Sequence, residues 1–416
     1  MSNITNNGGI IYIFKLNDNN IYYFIEGGSL TQITSWPVTI LNSNPVSGNI
    51  LTVSITTDIT ISDSTVGPGT NGYFICGSSY ITYDGSGKTI TISNVTGYLG
   101  LIQNGINGIN GYSNITVQNI NSAISGNSTL AINGGYICQS YFGRGVNNIV
   151  VNNCSNSGAV NNDASGGICG FGIGSFNGNV SITNCSNSGI INSNYSGGIC
   201  GVSAGFSNGI VSITNCFNNG IINGPYSGGI SGAYFGITNN NLCSITNCYN
   251  TGNINGSNAG GITGANIGFN YDGSLPKVLI QNCYSLGSIA STCGGICGGT
   301  DESVYTNIPI VNIKNCYTSY NSIAPNGRPI ISANLPTTVR NSIISRLTNI
   351  YTSLTSLWSD TNANSALSGA LNIYRNSRLY KYYSNFGEVW YSNQNNTPFS
   401  FTSDLDNVPR RKERRN

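Results

Sequence analysis

The fold is decided by the stretch VSITNCFNNGIINGPYSGGISGAYFG, residues 211–236. It contains three short apolar runs, VSITNC, GIIN and GGISG, and each run is bounded by Gly, Asn, Ser or Pro. Short apolar runs between turn-forming residues are typical of β-strands. No run has the apolar spacing of a helix. The stretch therefore predicts three strands joined by tight turns.

This stretch is one copy of a repeat. The dipeptide Asn-Cys recurs every 31 to 35 residues, and the motif Gly-Gly-Ile-x-Gly recurs every 31 to 34. Weaker copies lie upstream, where Val95 and Ile120 take the place of the cysteine. Self-similarity at a fixed period of this size is the signature of a repeat architecture. The cysteines of the Asn-Cys landmark are Cys154, Cys185, Cys216, Cys248, Cys283 and Cys316.

Three strands in a unit of about 31 residues predict a triangular coil. Stacked coils place each strand beside its copy in the next coil, in parallel. We therefore predict an all-β chain that forms a right-handed parallel β-helix over residues 50–330, with the best repeats at 134–320. In this stack each position of the repeat forms a column of like side chains about 4.8 Å apart.

Four such columns follow from the alignment. The Asn before each Cys is expected to form an amide ladder that satisfies a buried turn. The Cys column is expected to be interior, because Val95 and Ile120 replace it. The position after Cys becomes aromatic toward the C-terminal end, and the variable position of Gly-Gly-Ile-x-Gly forms a further ladder. Beyond the six cysteines, the columns are Asn153, Asn184, Asn215, Asn247, Asn282 and Asn315; Ser155, Ser186, Phe217, Tyr249, Tyr284 and Tyr317; and Cys138, Cys169, Cys200, Ser231, Thr263 and Cys297.

Both ends of a β-helix expose strand edges and need caps. Residues 1–49 are predicted to be an N-terminal cap built on a β-hairpin over 10–26. Residues 331–400 are predicted to be a C-terminal cap with a helix over about 337–358, where apolar residues recur at helical spacing, followed by short strands. Residues 401–416 read as a flexible basic tail. Its basic residues, which could contact an anionic partner, are Arg410, Arg411, Lys412, Arg414 and Arg415.

The composition excludes several classes of protein. Of the 416 residues only 7% are charged, and there is no His, so a Ser-His-Asp triad, a Cys-His dyad and a His-ligated metal are all ruled out. No apolar run approaches the 18 or so residues of a membrane-spanning helix. The N-terminus lacks a basic segment followed by an apolar one, so no signal peptide is predicted.

The 13 cysteines leave three interpretations open. Free structural thiols are favoured, because the main column accepts Val and Ile. Scattered disulfides between neighbouring rungs are an alternative, and metal binding is a third. The pair Cys293 and Cys297 does not have zinc spacing with a second pair to match it.

Polysaccharide lyases and hydrolases often use this fold, so the acids need examination. Glycoside hydrolysis requires two carboxylates about 5–10 Å apart. Asp163 and Asp272 lie about three and a half repeats apart along the stack, and the neighbouring Asp301 and Glu302 are expected to point apart. We therefore predict no catalytic residues and no cofactor. The basic residues of the same region are scattered: Arg144, Lys277 and Lys314.

Two further motifs, an acidic cluster and a Gly-rich turn, lie in the N-terminal part of the repeat region. Asp58, Asp63 and Asp84 could form a weak calcium site, but turn and ladder roles are favoured. The tetrapeptide GSGK at 85–88 lacks the full phosphate-binding motif and reads as a β-turn between strands.

A binding face is the remaining alternative to catalysis. Two short columns of outward hydroxyls are predicted, and regular hydroxyl arrays can bind ice or glycans, although simple solvation is favoured. These columns are Ser181, Ser212 and Ser244, and Thr183, Thr214 and Thr246.

The repeat resembles the GLUG-type repeat of bacterial surface adhesins, with Ile in GGICG, GGISG and GGITG where that family has Leu. The resemblance covers roughly residues 134–320 and implies a β-solenoid on a surface, with no catalytic residues. The flanks TTDITISDSTVGPGTNGYFICGSSYITYDGSGKTITI (56–92) and LTSLWSDTNANSAL (354–367) resemble Asn-rich paralogous proteins of mimivirus-like giant viruses that infect amoebae.

Together these features predict a non-enzymatic structural or adhesive β-solenoid, located on the virion surface or associated with the capsid. Its expected partners are other virion or capsid proteins or host-surface glycans, and further copies of itself, for example in a trimer. No specific nucleic acid and no membrane span are expected. The alternative is a carbohydrate-binding or polysaccharide-degrading protein of the tailspike kind.

Overall fold

The computed structural model describes residues 2–17, 20–63, 72–300, 307–318, 330–332, 334 and 337–351. Within these ranges the chain is a stack of parallel coils, as predicted. Three hydrogen-bonded columns form what we call the first, second and third faces. The GIIN run, predicted as a strand, instead forms a separate column of single parallel bridges through Val160, Ile191, Ile222, Ile254 and Ile289. No helix in the described ranges is long and apolar enough to cross a membrane.

The first face carries a strand in every coil. Its residues alternate between buried and partly exposed, as the period of two along a strand requires. Consecutive strands pair in parallel and in register, with Val180 beside Val211 and Ile182 beside Ile213. The strands are β2 (Gly9–Lys15), β6 (Leu51–Ile55), β9 (Ile81–Asp84), β12 (Ile115–Gln118), β14 (Ile149–Asn152), β16 (Asn179–Thr183), β18 (Ile210–Thr214), β20 (Leu242–Thr246), β22 (Lys277–Gln281), β24 (Ile310–Thr318) and β25 (Leu347–Tyr351).

The second face follows a sharp corner, and its strands, which also pair in parallel, shorten to 2 residues from Ser155 onward. They are β7 (Ile59–Ile61), β10 (Thr89–Ser93), β13 (Asn121–Ser125), β15 (Ser155–Asn156), β17 (Ser186–Asn187), β19 (Phe217–Asn218), β21 (Tyr249–Asn250) and β23 (Tyr284–Ser285).

The third face begins as strands and continues as single bridges. Its strands are β1 (Ser2–Asn6), β5 (Val38–Asn42), β8 (Phe74–Cys76) and β11 (Ile102–Gln103). From Cys138 onward the Gly-Gly-Ile-x-Gly run forms isolated parallel bridges instead of a full strand, because the paired glycines bend the backbone. The bridges run through Cys138, Cys169, Cys200, Ser231, Thr263 and Cys297, so the predicted ladder is confirmed.

The corner between the first and second faces is made by the Asn that precedes each Cys. Asn153, Asn184 and Asn215 have φ of 52°, 56° and 56°, in the left-handed region that Asn tolerates better than most residues. Their side chains bond along the axis, with Asn247 Nδ2 3.2 Å from Asn215 Oδ1. The expectation that this ladder lies in a buried turn is wrong. These side chains are exposed or half-buried, because a left-handed corner turns the side chain outward.

The buried amide ladder lies three residues later, in the column Asn156, Asn187, Asn218 and Asn250, at most 2% exposed. Each Nδ2 donates to the Oδ1 of the next rung at 2.7 Å, from Asn156 to Asn187, Asn218 and Asn250 in turn. The second Nδ2 hydrogen goes to a backbone oxygen in its own coil, such as Gly220 O at 2.7 Å from Asn218. Ser122 and Ser285 close the column at its two ends. Since the amide is both donor and acceptor, it can repeat indefinitely without an unpaired group.

The six Asn-Cys cysteines are 0–1% exposed, in the interior column predicted for them. All 13 thiols are free and buried. Burial raises the pKa of Cys76 and Cys297 to about 12. Burial also raises the pKa of Cys243 and Cys293 to about 11. The cysteines therefore act as small apolar side chains of the core.

The N-terminal hairpin is present: β2 pairs antiparallel with β3 (Ile21–Ile25), and β4 (Thr31–Gln32) extends it. However, β1 pairs in parallel with β5 and β2 with β6. The boundary expected at residue 50 is therefore wrong, because the parallel stack already begins at Ser2. The hairpin covers the edge that the first strand of the stack would otherwise expose.

The C-terminal helix is shorter than predicted. Helix α1 spans Thr337–Ile344 and buries Val339 and Ile343, after which Leu347–Tyr351 forms β25 parallel to β24. The apolar spacing was compatible with both structures, and the open edge of β24 supplies backbone hydrogen bonds that favour a strand over more helix. Residues 352–358 of the predicted helix, the short strands predicted after it and the basic tail lie outside the described residues.

We predict that Asn218→Ala lowers the free energy of unfolding by about 3 kcal/mol. It leaves one Asn187 Nδ2 hydrogen, Gly220 O and Asn250 Oδ1 unpaired in the core, and each such group costs about 1 kcal/mol or more. Asn215→Ala, in the outer ladder of the same rung, is the matched control and should cost about 1 kcal/mol. Guanidinium unfolding followed by circular dichroism measures both. An equal loss in the two variants would contradict a buried, fully paired ladder.

We also predict that alkaline pH destabilises the protein through Cys297, whose thiol pKa burial raises to about 12. Below about pH 8.5, the ordinary thiol pKa, both folded and unfolded chains keep the protons. Above it only the unfolded chain loses them, so stability falls until the folded pKa of about 12 is reached for Cys297.

Cys297→Thr tests this, since Thr263 occupies the same column. The variant should lose about 2 kcal/mol less stability than the parent between about pH 8.5 and 10. Ser231→Thr, which changes no thiol, is the control and should follow the parent. Identical pH profiles for Cys297→Thr and the parent would refute the role of the thiol.

Candidate binding surface

The structure uses the upstream acids as hydrogen-bond acceptors. Asp58 Oδ1 accepts the backbone N–H of Thr89 at 2.8 Å. Burial of Asp84 disfavours its charged form, but hydrogen bonds from the Ser86 N–H, Asn119 and Gln118 outweigh burial and lower its pKa. In the described part of the chain no three His, Cys, Asp or Glu residues are grouped closely enough to hold a metal ion, and Asp58, Asp63 and Asp84 are not so grouped.

The acids of the best repeats are also separated. Asp163 Oδ1 accepts the backbone N–H of Asn194 at 2.9 Å, one rung away. Asp272 accepts from Ser274, and this hydrogen bonding lowers its pKa. Asp301 and Glu302 lie outside the described residues. The GSGK segment is a turn between β9 and β10, where the Lys88 N–H bonds to Gly85 O at 2.7 Å.

The outward face of the first sheet is more regular than the sequence suggested. The strand registers extend the serine column to six hydroxyl-bearing rungs, interrupted by Val150. The neighbouring column bonds along the axis, with Thr183 Oγ1 2.9 Å from Asn152 Oδ1. Part of its hydrogen-bonding capacity is therefore used within the protein. The six hydroxyls of the first column are Thr52, Thr82, Thr116, Ser181, Ser212 and Ser244.

On the second face, aromatic rings stack one above another as predicted. The ring centroids of Phe217 and Tyr249 are 4.9 Å apart and their planes are inclined by 4°. The ring centroids of Tyr249 and Tyr284 are also 4.9 Å apart, with an angle of 7° between the planes. Tyr249 is 8% exposed. These rings offer their faces mainly to one another, so a ligand would meet only their edges.

A second set of rings was not predicted. It lies at the corners before and after the Gly-Gly-Ile-x-Gly run of the third face, and we call it the aromatic strip. Phe171, Tyr195, Tyr226 and Tyr234 pack over a small cluster of Val202, Ala233 and Ala265. All the rings of the strip are half-buried. The strip comprises Tyr141, Phe171, Phe176, Tyr195, Phe206, Tyr226 and Tyr234.

The rings of the strip meet in both stacked and edge-on pairs. Tyr195 and Tyr226 are stacked, with centroids 5.0 Å apart at 9°. Tyr141 meets Phe171 edge-on at 5.2 Å, and Phe176 meets Phe206 edge-on at 5.1 Å. Because several rings keep part of their surface exposed, the strip can take a ligand against them.

Five rings of the strip stand at left-handed corners. Tyr141, Tyr195, Tyr226, Tyr234 and Phe176 have φ between 55° and 61°. For a bulky residue this conformation costs roughly 1–3 kcal/mol. The same columns use Asn elsewhere, with Asn258 one rung from Tyr226 and Asn266 one rung from Tyr234. Ala164, Ser203 and Thr292 have similar φ in these columns, so the left-handed corner is common to the stack and the ring is what distinguishes these rungs.

Charge is almost absent around the strip. Residues 89–271 contain one cation, Arg144, and one acid, Asp163. Lys277 and Lys314 are exposed on the first face, far along the stack from Arg144. Rings, amides and hydroxyls without charge suit an uncharged or weakly charged polymer, whose C–H groups lie against rings and whose hydroxyls bond to amides.

In the repeat, residues of the strip occupy two places: the position before Ser-Gly-Gly and positions after the last Gly of Gly-Gly-Ile-x-Gly. There Tyr195 and Tyr226 share a position with Ala164 and Asn258. A position that changes between Ala, Tyr and Asn carries no periodic signal, and its left-handed φ is visible only in the structure.

No protein-family model matches the chain, and no curated protein matches it significantly. Among solved structures, it is similar to a candidate immunoglobulin A1 protease from Bacteroides ovatus, with 20% sequence identity and a TM-score of 0.35. The match covers 79% of this chain and 84% of that chain. A likeness at this TM-score supports no statement about the activity of this chain.

Proposed function

We propose that this chain is a non-enzymatic structural and adhesive β-solenoid, displayed on the surface of a giant-virus particle. The observation that carries the proposal is the buried amide ladder, whose donors and acceptors are paired from rung to rung. Such a ladder builds a rigid shaft, and its outward columns are left for contact with other molecules.

A non-catalytic role is supported by how the chain uses its acids. Asp58, Asp84, Asp163 and Asp272 each accept hydrogen bonds from nearby backbone or amide groups. Hydrolysis of a glycosidic bond would require two carboxylates that converge on one site. Asp163 and Asp272 instead lie several coils apart, and Asp58 and Asp84 are each engaged in hydrogen bonds.

The location on a particle is supported by the sequence resemblances. The repeat is similar to that of surface adhesins, and the flanks are similar to Asn-rich proteins of mimivirus-like giant viruses. In this proposal the C-terminal basic residues, which lie outside the described part of the chain, tether the shaft to an anionic component of the particle.

Binding of glycans without turnover is the second function to consider, and the aromatic strip favours it. Strained corners that carry Tyr instead of Asn are difficult to explain by stability alone. Rings beside amides are the usual means of holding a sugar, since the ring contacts C–H groups and the amides bond to hydroxyls.

The location and the lack of catalysis can be tested on purified material. Mass spectrometry of gradient-purified particles should detect the protein at a constant ratio to the major capsid protein, and antibody labelling should place it outside the capsid. The intact protein should release no reducing or unsaturated ends from a panel of polysaccharides. Absence from particles would contradict the location, and turnover of any polysaccharide would contradict the non-enzymatic role.

The adhesive role can be tested in the strip itself. We predict that the double variant Tyr195→Asn and Tyr226→Asn binds amoebal surface glycans at least about tenfold more weakly, while its melting temperature stays within a few degrees of the parent. Asn relieves the left-handed strain, which offsets part of the packing that is lost.

Phe217→Ser is the matched control for that experiment. It removes a stacked ring from the second face, where Ser155 and Ser186 already occupy the same column. It should leave glycan binding unchanged. Equal binding by the double variant and the parent would show that the strip is only a packed surface cluster.

A further inference from the structure

Arg144 is chemically isolated in this molecule. It is one of two charged residues between positions 89 and 271, and the other, Asp163, is engaged by Asn194. No carboxylate forms an ion pair with Arg144 among the described residues. A stack that avoids charge almost everywhere nevertheless keeps one half-buried cation beside the aromatic strip.

The guanidinium of Arg144 is held in a fixed plane. Its central carbon lies 4.1 Å from the centroid of the Phe176 ring. One Nη donates to Asn110 Oδ1. Its Nε is buried and has no hydrogen-bond partner within the described chain. A guanidinium stacked on a ring keeps its N–H groups in one plane, and the Nη groups that Asn110 does not fully occupy can meet a carboxylate in that plane.

The neighbours of Arg144 complete a small subsite. Burial raises the pKa of the Tyr141 hydroxyl, although the charge of Arg144 opposes this, so the phenol is a neutral donor at physiological pH. Tyr141 also meets Phe171 edge-on within the strip. On the other side the turn at 104–112 is anchored by two hydrogen bonds between Asn104 and Tyr112. That turn exposes Ile109 and Tyr112, which are 60% and 43% exposed.

We propose that Arg144, Tyr141 and Asn110 form a subsite for the carboxylate of an acidic sugar, such as a hexuronate residue within a polysaccharide. The guanidinium takes the carboxylate in its plane, the phenol and the amide take hydroxyls, and the rings of Phe171 and Phe176 border the sugar ring. This subsite would define the ligand of the adhesive function proposed above. It depends on that proposal in one respect, that the ligand is a glycan.

A single cation argues against two other anionic partners. Nucleic acids and anionic membranes are held by many basic residues, and their binding weakens steeply with salt because many counterions are released. One arginine predicts a shallow dependence, with a slope of about one in a plot of log affinity against log salt. The aromatic border adds contacts that are insensitive to salt.

The experiment measures binding of three probes by calorimetry: an oligogalacturonate, a sulfated dextran and neutral dextran. The parent protein should bind the oligogalacturonate most tightly. Arg144→Gln should weaken this binding by about 10- to 100-fold, the range expected for a charge-assisted hydrogen bond. Arg144→Lys should restore part of it. Lys277→Gln, which removes an exposed cation elsewhere, is the control and should bind like the parent.

Chemical protection gives a readout that does not depend on the folding of a variant. Phenylglyoxal should modify Arg144 in the parent, and oligogalacturonate but not dextran should protect it, as measured by peptide mass spectrometry. An unchanged affinity in Arg144→Gln, an equal loss in Lys277→Gln, tighter binding of the sulfated probe, or no binding of oligogalacturonate would each overturn the subsite. Retention of neutral glycan binding at the aromatic strip in any of these cases would leave the adhesive proposal standing.

Discussion

The structure depends on one constraint: every residue in a coil lies about 4.8 Å from its counterpart in the coils above and below. A side chain must therefore tolerate a near copy of itself on both sides. Charged groups fail this test, since like charges one rung apart repel. Apolar groups, thiols, hydroxyls and amides can stack on copies of themselves without repulsion. This accounts for the low charged fraction of 7%.

Amides satisfy the constraint best in the core, because each amide donates to one neighbour and accepts from the other. The column through Asn156, Asn187, Asn218 and Asn250 shows this pairing without a gap. The outer Asn ladder has a different origin. Its residues are selected by the left-handed backbone at the corner, and their hydrogen bonds along the axis are additional.

The solenoid could be predicted from the repeat. Because the period is fixed, residues at equivalent positions of the repeat occupy equivalent places in successive coils. The interior cysteines and the stacked rings of Phe217, Tyr249 and Tyr284 followed from it. The choice of the buried amide column did not, because Asn215 and Asn218 differ in burial through backbone φ and not through residue type. The C-terminal end of helix α1 could not be predicted from the sequence either. Leu347 and its neighbours pair with the open edge of β24 as a strand instead of continuing the helix. The aromatic strip was missed because its positions vary between rungs, and a varying position has no periodic signal.

The candidate surface arises where the constraint is weakest. At the corners on either side of the third face neighbouring rungs carry unlike residues, and Tyr195, Tyr226 and Arg144 are among them. Function can therefore be added at these corners without disturbing the stacked core. The backbone strain at Tyr141 and Phe176 and the unpaired charge of Arg144 are both found there.

Hydrogen exchange of the side-chain amides, followed by nuclear magnetic resonance, tests the central claim most directly. Both Nδ2 hydrogens of Asn187 and Asn218 are buried and bonded, at 2.7 Å to the next rung and 2.7 Å to their own coil. The account predicts that these hydrogens exchange only when coils open, far more slowly than those of the outer Asn184 and Asn215. Exchange of Asn187 and Asn218 at the rate of the outer ladder would contradict it.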